Sequence, residues 1–298
     1  MRKSVYILLS VLWLSNSCIA KPTFEYTKSD EDPVKEEVTD ADKQIFDAVN
    51  WNWTKEQSGV TRGYAQFGMF GRTMSISIVK YNEDELITSL IYNKENDCVT
   101  VPEAAEAAKA KAALNASYFY TKTSGENIKW TASTTLCMDG EVIHTSNEER
   151  SNGIIGFDKG GVITIMPYNH YKVNDWKDMY KSLISSGPLL ICNNKVQSFA
   201  KNEFNETNHP RTMMGVTEDR TVIYVVVDGR FENLGEGASI SELARIASYL
   251  GMTDAINLDG GGSSTIWTSE AGVINYPYDN GKWDHDGCRR VPTVIIAK

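Results

Sequence analysis

No Cys-x-x-Cys pair occurs in this chain; Cys18, Cys98, Cys137, Cys192 and Cys288 stand far apart. Structural zinc sites draw thiolates from such close pairs, so none is expected. The last four cysteines could pair in three ways or remain thiols. Cationic charge is also short, with 30 Lys and Arg against 39 Asp and Glu and a net charge of −9. A nucleic-acid-binding surface is therefore not expected, although net charge does not preclude one basic cleft. Beyond residue 20 no apolar run is long enough to cross a bilayer. No Lys follows the glycine run Gly260-Gly261-Gly262, which excludes the phosphate loop of nucleotide hydrolases.

What is present is ordinary globular material. The 298 residues are 41% hydrophobic and 23% charged, enough for a large core in one domain or two small ones. Residues 1–20 read as a signal peptide of bacterial type: Arg2 and Lys3, a mostly apolar Val5–Leu14, then Cys18-Ile19-Ala20. Cys18 permits a second reading, as the lipidated first residue of an anchored lipoprotein. Either way the protein is expected to be exported: periplasmic, anchored at the outer membrane, or secreted. Residues 21–42 are acidic with few apolar anchors and read as a flexible spacer. Residues 43–298 are expected to form a single catalytic domain.

That domain reads as α+β, mostly antiparallel sheet with a few covering helices. Met74–Val79 alternates as a half-buried strand and is expected to form a hairpin with 85–92. Thr100-Val101-Pro102-Glu103 and Ser239-Ile240-Ser241-Glu242 are capping boxes that each open a helix. Asp139-Gly140, residues 158–161, Asn193-Asn194 and residues 217–220 read as tight hairpin turns. Short strands with such turns argue against a doubly wound parallel sheet. Ile223–Val227 is apolar throughout and should be buried. The order strand ending at Asp228, helix, strand ending near Asp259 is a crossover, so those two strands are expected to be parallel and close.

The chemistry-bearing stretch is Asp254–Trp267. Ala255, Ile256 and Leu258 are strand-like, and Asp259 stands at the end before three glycines and Ser263-Ser264. A tight turn explains the glycines alone. The return straight into Thr265-Ile266-Trp267 places small polar residues at a tip between buried segments, where sites often lie. Successive amide N–H groups in such a bend can form a nest for an anion. A hairpin should bring Arg211 and Asp228 to one sheet edge, either as a structural ion pair or as part of a site. Asn115 interrupts an apolar strand, so it either ties down a loop or faces a ligand. Asp228, Asn257 and Asp259 could together hold Ca²⁺ or Mg²⁺ through oxygen ligands. A Ser263 or Ser264 nucleophile would need a base, and His209 is the one histidine suggestively placed.

Several ordered blocks resemble the phosphodiester glycosidase family over roughly residues 60–298. They are Leu114–Phe119, Ser186–Leu190, Pro210-Arg211-Thr212 with Gly215-Val216, Val227–Arg230, Ala255–Ser264, Tyr276-Pro277 and Arg290-Val291. The resemblance implies a hydrolase that splits a sugar 1-phosphodiester at the sugar C1–O bond and exposes a phosphomonoester. Its substrate would be such a diester or a phosphorylated envelope glycan. It implies Asp259 and Asp228 as the carboxylates and Arg211 as a catalytic cation. Asn115, Gly260, Gly261, Gly262, Ser263, Ser264, Arg230 and Arg290 would line the sugar and phosphate. No cofactor is required by this chemistry, with Ca²⁺ or Mg²⁺ as the rival. A non-catalytic envelope glycan-binding protein on the same fold is the alternative.

Overall fold

Alternate residues of the Thr221–Val227 strand face two different apolar clusters. Val222, Tyr224 and Val226 belong to one, and Ile223, Val225 and Val227 to the other. A strand buried on both faces must lie inside a sheet that is covered on both sides. In the computed structural model, which describes residues 40–93, 98–124, 127–146 and 148–298, it is the fourth of eight strands. Their spatial order is Asn52–Lys55, Thr61–Met69, Arg72–Asn82, Thr221–Val227, Arg211–Thr217, Met252–Asn257, Leu189–Cys192 and Lys195–Val196. Every neighbouring pair is antiparallel. The signal-peptide reading, Cys18 and the spacer as far as residue 39 lie outside the described residues. The helix Asp40–Asp47 takes in the last three spacer positions.

One face of this sheet is covered by the helix Ile240–Tyr249, which buries Ile240, Leu243, Ala244, Ile246 and Ala247. Its capping box is formed, with the Ser239 N–H donating to Glu242 Oε2 at 2.8 Å and the Glu242 N–H to Ser239 Oγ at 3.3 Å. Glu242 also pairs with Arg72, which pins the helix start to the sheet. The other face meets two five-stranded sheets. One runs Ile163–Pro167, Gly153–Phe157, Ser182–Ser186, Leu136–Met138, Glu141–His144. The second runs Gly272–Val273, Ile266–Thr268, Ala112–Asn115, Thr293–Ala297, Thr88–Tyr92. Their outer faces are covered by the helices Val173–Met179 and Val101–Ala108.

Polar groups between the layers find partners, as burial requires. Tyr81 OH is 2.6 Å from Tyr224 OH and 2.7 Å from Thr88 Oγ1, joining the large sheet to the second small one. Buried Glu83 accepts the Ile163 N–H and pairs with Arg220, joining it to the first.

The hairpin turns at Asp139-Gly140 and Asn193-Asn194 have positive φ at both central residues, the twist that matches flanking strands. Two expectations are corrected. The Arg72–Asn82 strand does not pair with Thr88–Tyr92; it pairs with Thr61–Met69 and Thr221–Val227. Phe70 and Gly71, at φ 55° and 74°, close the true hairpin, while Thr88–Tyr92 joins Thr293–Ala297 in another sheet. Further on, Thr221–Val227 and Met252–Asn257 run parallel, but Arg211–Thr217 lies between them, antiparallel to both. At about 4.8 Å per strand, their ends are roughly 10 Å apart rather than adjacent. Among the described residues no helix is long and apolar enough to cross a membrane.

Replacing Ser239 by Ala removes one cap bond of the Ile240–Tyr249 helix. We expect a loss of about 1 kcal/mol of stability, read as a lower urea midpoint at unchanged slope.

Candidate active site at the glycine bend

The Met252–Asn257 strand delivers Leu258 and Asp259 to the sheet end, where three backbone bonds fix the chain. Leu258 N donates to Thr212 O at 2.8 Å, Asp259 N to Ala116 O at 2.9 Å, and Gly261 N to Pro210 O at 2.8 Å. A Cβ on Gly260 would lie 2.5 Å from Pro210 O, so only glycine fits this approach. A Cβ on Gly262 would collide with the Arg289 guanidinium and the Asp279 carboxylate. The expected amide nest is therefore partly spent inside the fold. Gly261 bonds Pro210, and Gly260 N–H supports the neighbouring Asp259 carboxylate.

The cations that reach the bend are arginines. Arg230, itself at φ 69°, brings its Nη2 to 3.3 Å from a Cβ position on Gly261. Its guanidinium lies 5.2 Å from the Tyr278 ring centre. Arg289 pairs with Asp279, its Nε 2.7 Å from Oδ1. Asp259, which opens the bend, is partly exposed. Loss of water contact pushes its carboxyl up to about 6, opposed by Ser263, Arg289, Arg150 and the Gly260 N–H. Ser263 and Ser264 are buried, and their hydroxyls make no hydrogen bond of ordinary geometry. The Ser263 effect on Asp259 is thus one of proximity. A carboxylate poised near 6 beside guanidinium groups suits chemistry that pairs an anionic leaving group with developing positive charge.

The other predicted residues lie differently. Asn115 is fully buried, and its amide serves the fold. Nδ2 donates to Asp259 O at 2.6 Å, and Oδ1 accepts from Thr212 Oγ1 and Thr265 N, both at 3.0 Å. It ties loops through three of the bonds an amide can make, which leaves one Nδ2 hydrogen. Arg211 sits opposite Val227 in register, so strand alternation turns Arg211 and Asp228 to opposite faces. Arg211 is buried, donating to the Ala238, Phe204 and Thr207 carbonyls at 2.9, 2.6 and 2.9 Å. Burial lowers its pKa to about 10. It braces the 204–238 segments instead of reaching the bend.

Asp228 is 1% exposed. Its carboxylate accepts from Ser75 Oγ at 2.7 Å, Asn275 Nδ2 at 3.1 Å and Tyr276 N at 2.9 Å. Burial raises it to about 7 against those bonds. Tyr276, held this way, stacks on Trp283 at 3.9 Å. The Asn257 Nδ2 donates to Tyr118 OH, Gly187 O and Leu258 O at 2.7, 2.7 and 2.9 Å. The Asp228 carboxylate and the Asn257 Nδ2 thus answer to different neighbours, while the buried Asn257 Oδ1 makes no hydrogen bond. Arg290 turns away from the bend, to Cys98 O at 2.7 Å and Glu103 Oε1 at 3.1 Å.

Sequence reasoning missed Arg289 as the residue facing the bend, because nothing in an Arg-Arg pair says which member turns inward. It missed Arg150 and Tyr118 for want of any local signal. A separate groove of about 370 Å³, lined by Ile87, Leu90, Lys159, Lys181 and Lys298 among others, shares no residue with the bend.

A family model described as phosphodiester glycosidase matches residues 108–298. The chain is 26% identical over 217 residues to the N-acetylglucosamine-1-phosphodiester alpha-N-acetylglucosaminidase of Homo sapiens and 28% identical over 213 residues to that of Mus musculus. Each alignment covers 66% of this chain and 39% of the relative, so the chain spans about two fifths of the length of the curated relatives it matches. Among solved structures, the zebrafish catalytic domain of that enzyme, auto-inhibited by its pro-peptide, gives a TM-score of 0.61 at 19% identity, covering 87% of this chain and 91% of that one. An exported protein of Burkholderia pseudomallei, so described only by supposition, gives 0.60 at 16% identity, covering 80% and 76%. Both likenesses are of fold.

Asp228 gives a pH signature. Its folded pKa is about 7 against an ordinary 3.8. Above the ordinary value the unfolded chain releases this proton first, so stability falls as pH rises toward 7 and then levels. The loss is roughly 4 kcal/mol at most. Asp259 contributes a similar fall that ends near 6. Asp228→Asn should flatten the fall between pH 6 and 7 in denaturant titrations; a slope kept at its wild-type value would place the Asp228 proton elsewhere.

Proposed function

The chain belongs to the phosphodiester glycosidase family, and from that premise we propose that it is an exported enzyme hydrolysing a sugar 1-phosphodiester at the sugar C1–O bond. The sugar is released and a phosphomonoester is left on the alcohol, with a phosphorylated envelope glycan as the natural setting. One observation carries this reading: Asp259, poised near 6, opens onto a bend flanked by Arg230 and Arg289.

The chemistry follows from those groups. As the C1–O bond lengthens, its electron pair moves onto the phosphate oxygen and C1 gains oxocarbenium character. The Asp259 carboxylate stabilises or attacks that centre. A phosphate leaving group is a weak base and needs little proton donation. Arg230 and Arg289 take up its growing charge through charge-assisted hydrogen bonds. Water supplies the hydroxyl to C1, and its proton is released to carboxylate and solvent. Asp228, closed off by three donors, acts as a positioning residue for the 275–285 segment. No step requires a metal ion.

Three outcomes are expected. Asp259→Asn should lower kcat on a sugar 1-phosphodiester by roughly a thousandfold or more while leaving the thermal midpoint nearly unchanged; equal loss of both would mark Asp259 as structural. Since the ionised form is the active one, kcat/KM should climb through about pH 6 and level above it. Turnover measured after exhaustive chelation should persist, and its abolition with recovery on adding Ca²⁺ or Mg²⁺ would favour a metal-assisted route. Product masses from a panel of such diesters read the reaction itself, and binding without turnover would favour a glycan-binding protein.

A further inference from the structure

Residues 277–289 form a closed loop whose two arms meet at the glycine bend. The arms are close, since a Cβ on Gly287 would collide with the Pro277 carbonyl. Internal bonds fix the tip. Gly281 N donates to Tyr278 O at 2.8 Å, Asn280 Nδ2 to Asp284 Oδ1 at 2.8 Å, and Asp286 N to the same oxygen at 3.0 Å. Trp283 lies against Gly235, with Cη2 3.1 Å from a Cβ position there. Asp279 stands on one arm and Arg289 on the other. Arg289 donates to Asp279 Oδ1 through Nε at 2.7 Å and Nη2 at 2.5 Å. This pair rests directly on the bend: a Cβ on Gly262 would collide with Arg289 Nη2 and lie 2.6 Å from Asp279 Oδ1.

A carboxylate against the bend is the opposite of what an anion site calls for. Stability does not account for it, because the two side chains are 38% and 34% exposed and such a pair adds little. Its effect is on the charge that an arriving anion meets. Asp279 balances Arg289, and ionised Asp259 balances Arg230. The fixed charge of these four groups then cancels. Cancelled charge gives no net attraction to set against desolvation, and the desolvation penalty of an ion rises steeply with its charge. Repulsion from Asp279 rises with it as well. One negative charge, satisfied by guanidinium hydrogen bonds, is tolerated far better than two.

That difference separates two kinds of phosphate. A phosphodiester carries a single negative charge, whereas a phosphomonoester has a second pKa of about 6 and approaches two at neutral pH. In the reaction proposed above the first is the substrate and the second the product. We infer that Asp279 is a specificity-determining residue of the bend, which sets it to hold a phosphodiester monoanion and to reject a phosphomonoester dianion, the product included. The presence of an anion at the bend rests on the phosphodiester reading above. Charge alone is read, whichever way the sugar and the alcohol lie. Arg230, which makes no ion pair among the described residues and only stacks near Tyr278, is left as the stronger hold on charge growing on the leaving oxygen.

Dimethyl phosphate and methyl phosphate are the probes, a monoanion and a dianion at pH 8. Neither has a sugar C1–O bond to break. NMR titration of the full chain at pH 8 should give the wild type a tighter dissociation constant for the diester. Asp279→Asn removes the charge and keeps an oxygen to accept from Arg289. It should tighten methyl phosphate binding by about tenfold relative to dimethyl phosphate. Asp259 is ionised at pH 8 in both proteins and cancels in the comparison. Asp279→Ser removes the same charge and serves as a second variant should the first fail to fold. Tighter binding of the dianion by the wild type overturns the inference, as does binding of neither probe. A ratio left unchanged by the substitution overturns it too, and would make Asp279 a brace for Arg289 alone. Failure of the glycosidase reading would show instead as the expected charge preference without hydrolysis of any sugar 1-phosphodiester.

Discussion

The carboxamide of Asn115 is the joint on which the glycine bend depends. It stands on the central strand of one small sheet, and its three hydrogen bonds reach the Asp259 carbonyl, Thr212 on the large sheet and the backbone of Thr265. Two sheets and the glycine bend therefore share one buried side chain. An amide left partly unpaired at such depth costs more than the bonds it makes contribute, so the three segments hold one another in a single arrangement. The orientation of Asp259 is a consequence of that arrangement.

Close packing carries the constraint outward. Gly260 lets the bend settle on the Pro210 carbonyl, and Gly262 leaves space for the Arg289 guanidinium and Asp279. The same packing consumes amide groups that an anion would otherwise meet. Positive charge about the bend and Asp259 consequently comes from side chains on three separate segments, Arg150, Arg230 and Arg289, although the whole chain is acidic. Asp228 belongs to a second joint, which holds Asn275 and Tyr276 against Ser75. That joint orders an irregular stretch in which the Tyr276–Trp283 stack replaces regular backbone pairing.

What could be read from residues alone was local. The capping boxes at Thr100 and Ser239 and the turns at Asp139-Gly140 and Asn193-Asn194 are formed, because each is specified within four residues. Strand partners were less legible, because alternation marks Met74–Val79 as a strand but not what it pairs with. The Phe70-Gly71 turn that decides the matter lacks the usual Asn or Asp. Site geometry failed in an instructive way. Arg211 and Asp228 do meet at one sheet end in the backbone, but their register turns the side chains apart. The choice of Arg289 over Arg290 at the bend depends on Glu103 and the Cys98 carbonyl, which lie nearly two hundred positions away in sequence. Arg150, whose charge bears on Asp259, comes from a turn outside every strand.

The central claim is that the braced bend sets the Asp259 carboxyl beside an anion held by neighbouring arginines. Carbon-13 NMR titration of the Asp259 carboxyl, with and without inorganic phosphate, tests it directly. The account predicts an inflection near pH 6, moved upward by phosphate because an adjacent anion favours the protonated form. An inflection near the ordinary 3.8 that is indifferent to phosphate would contradict it.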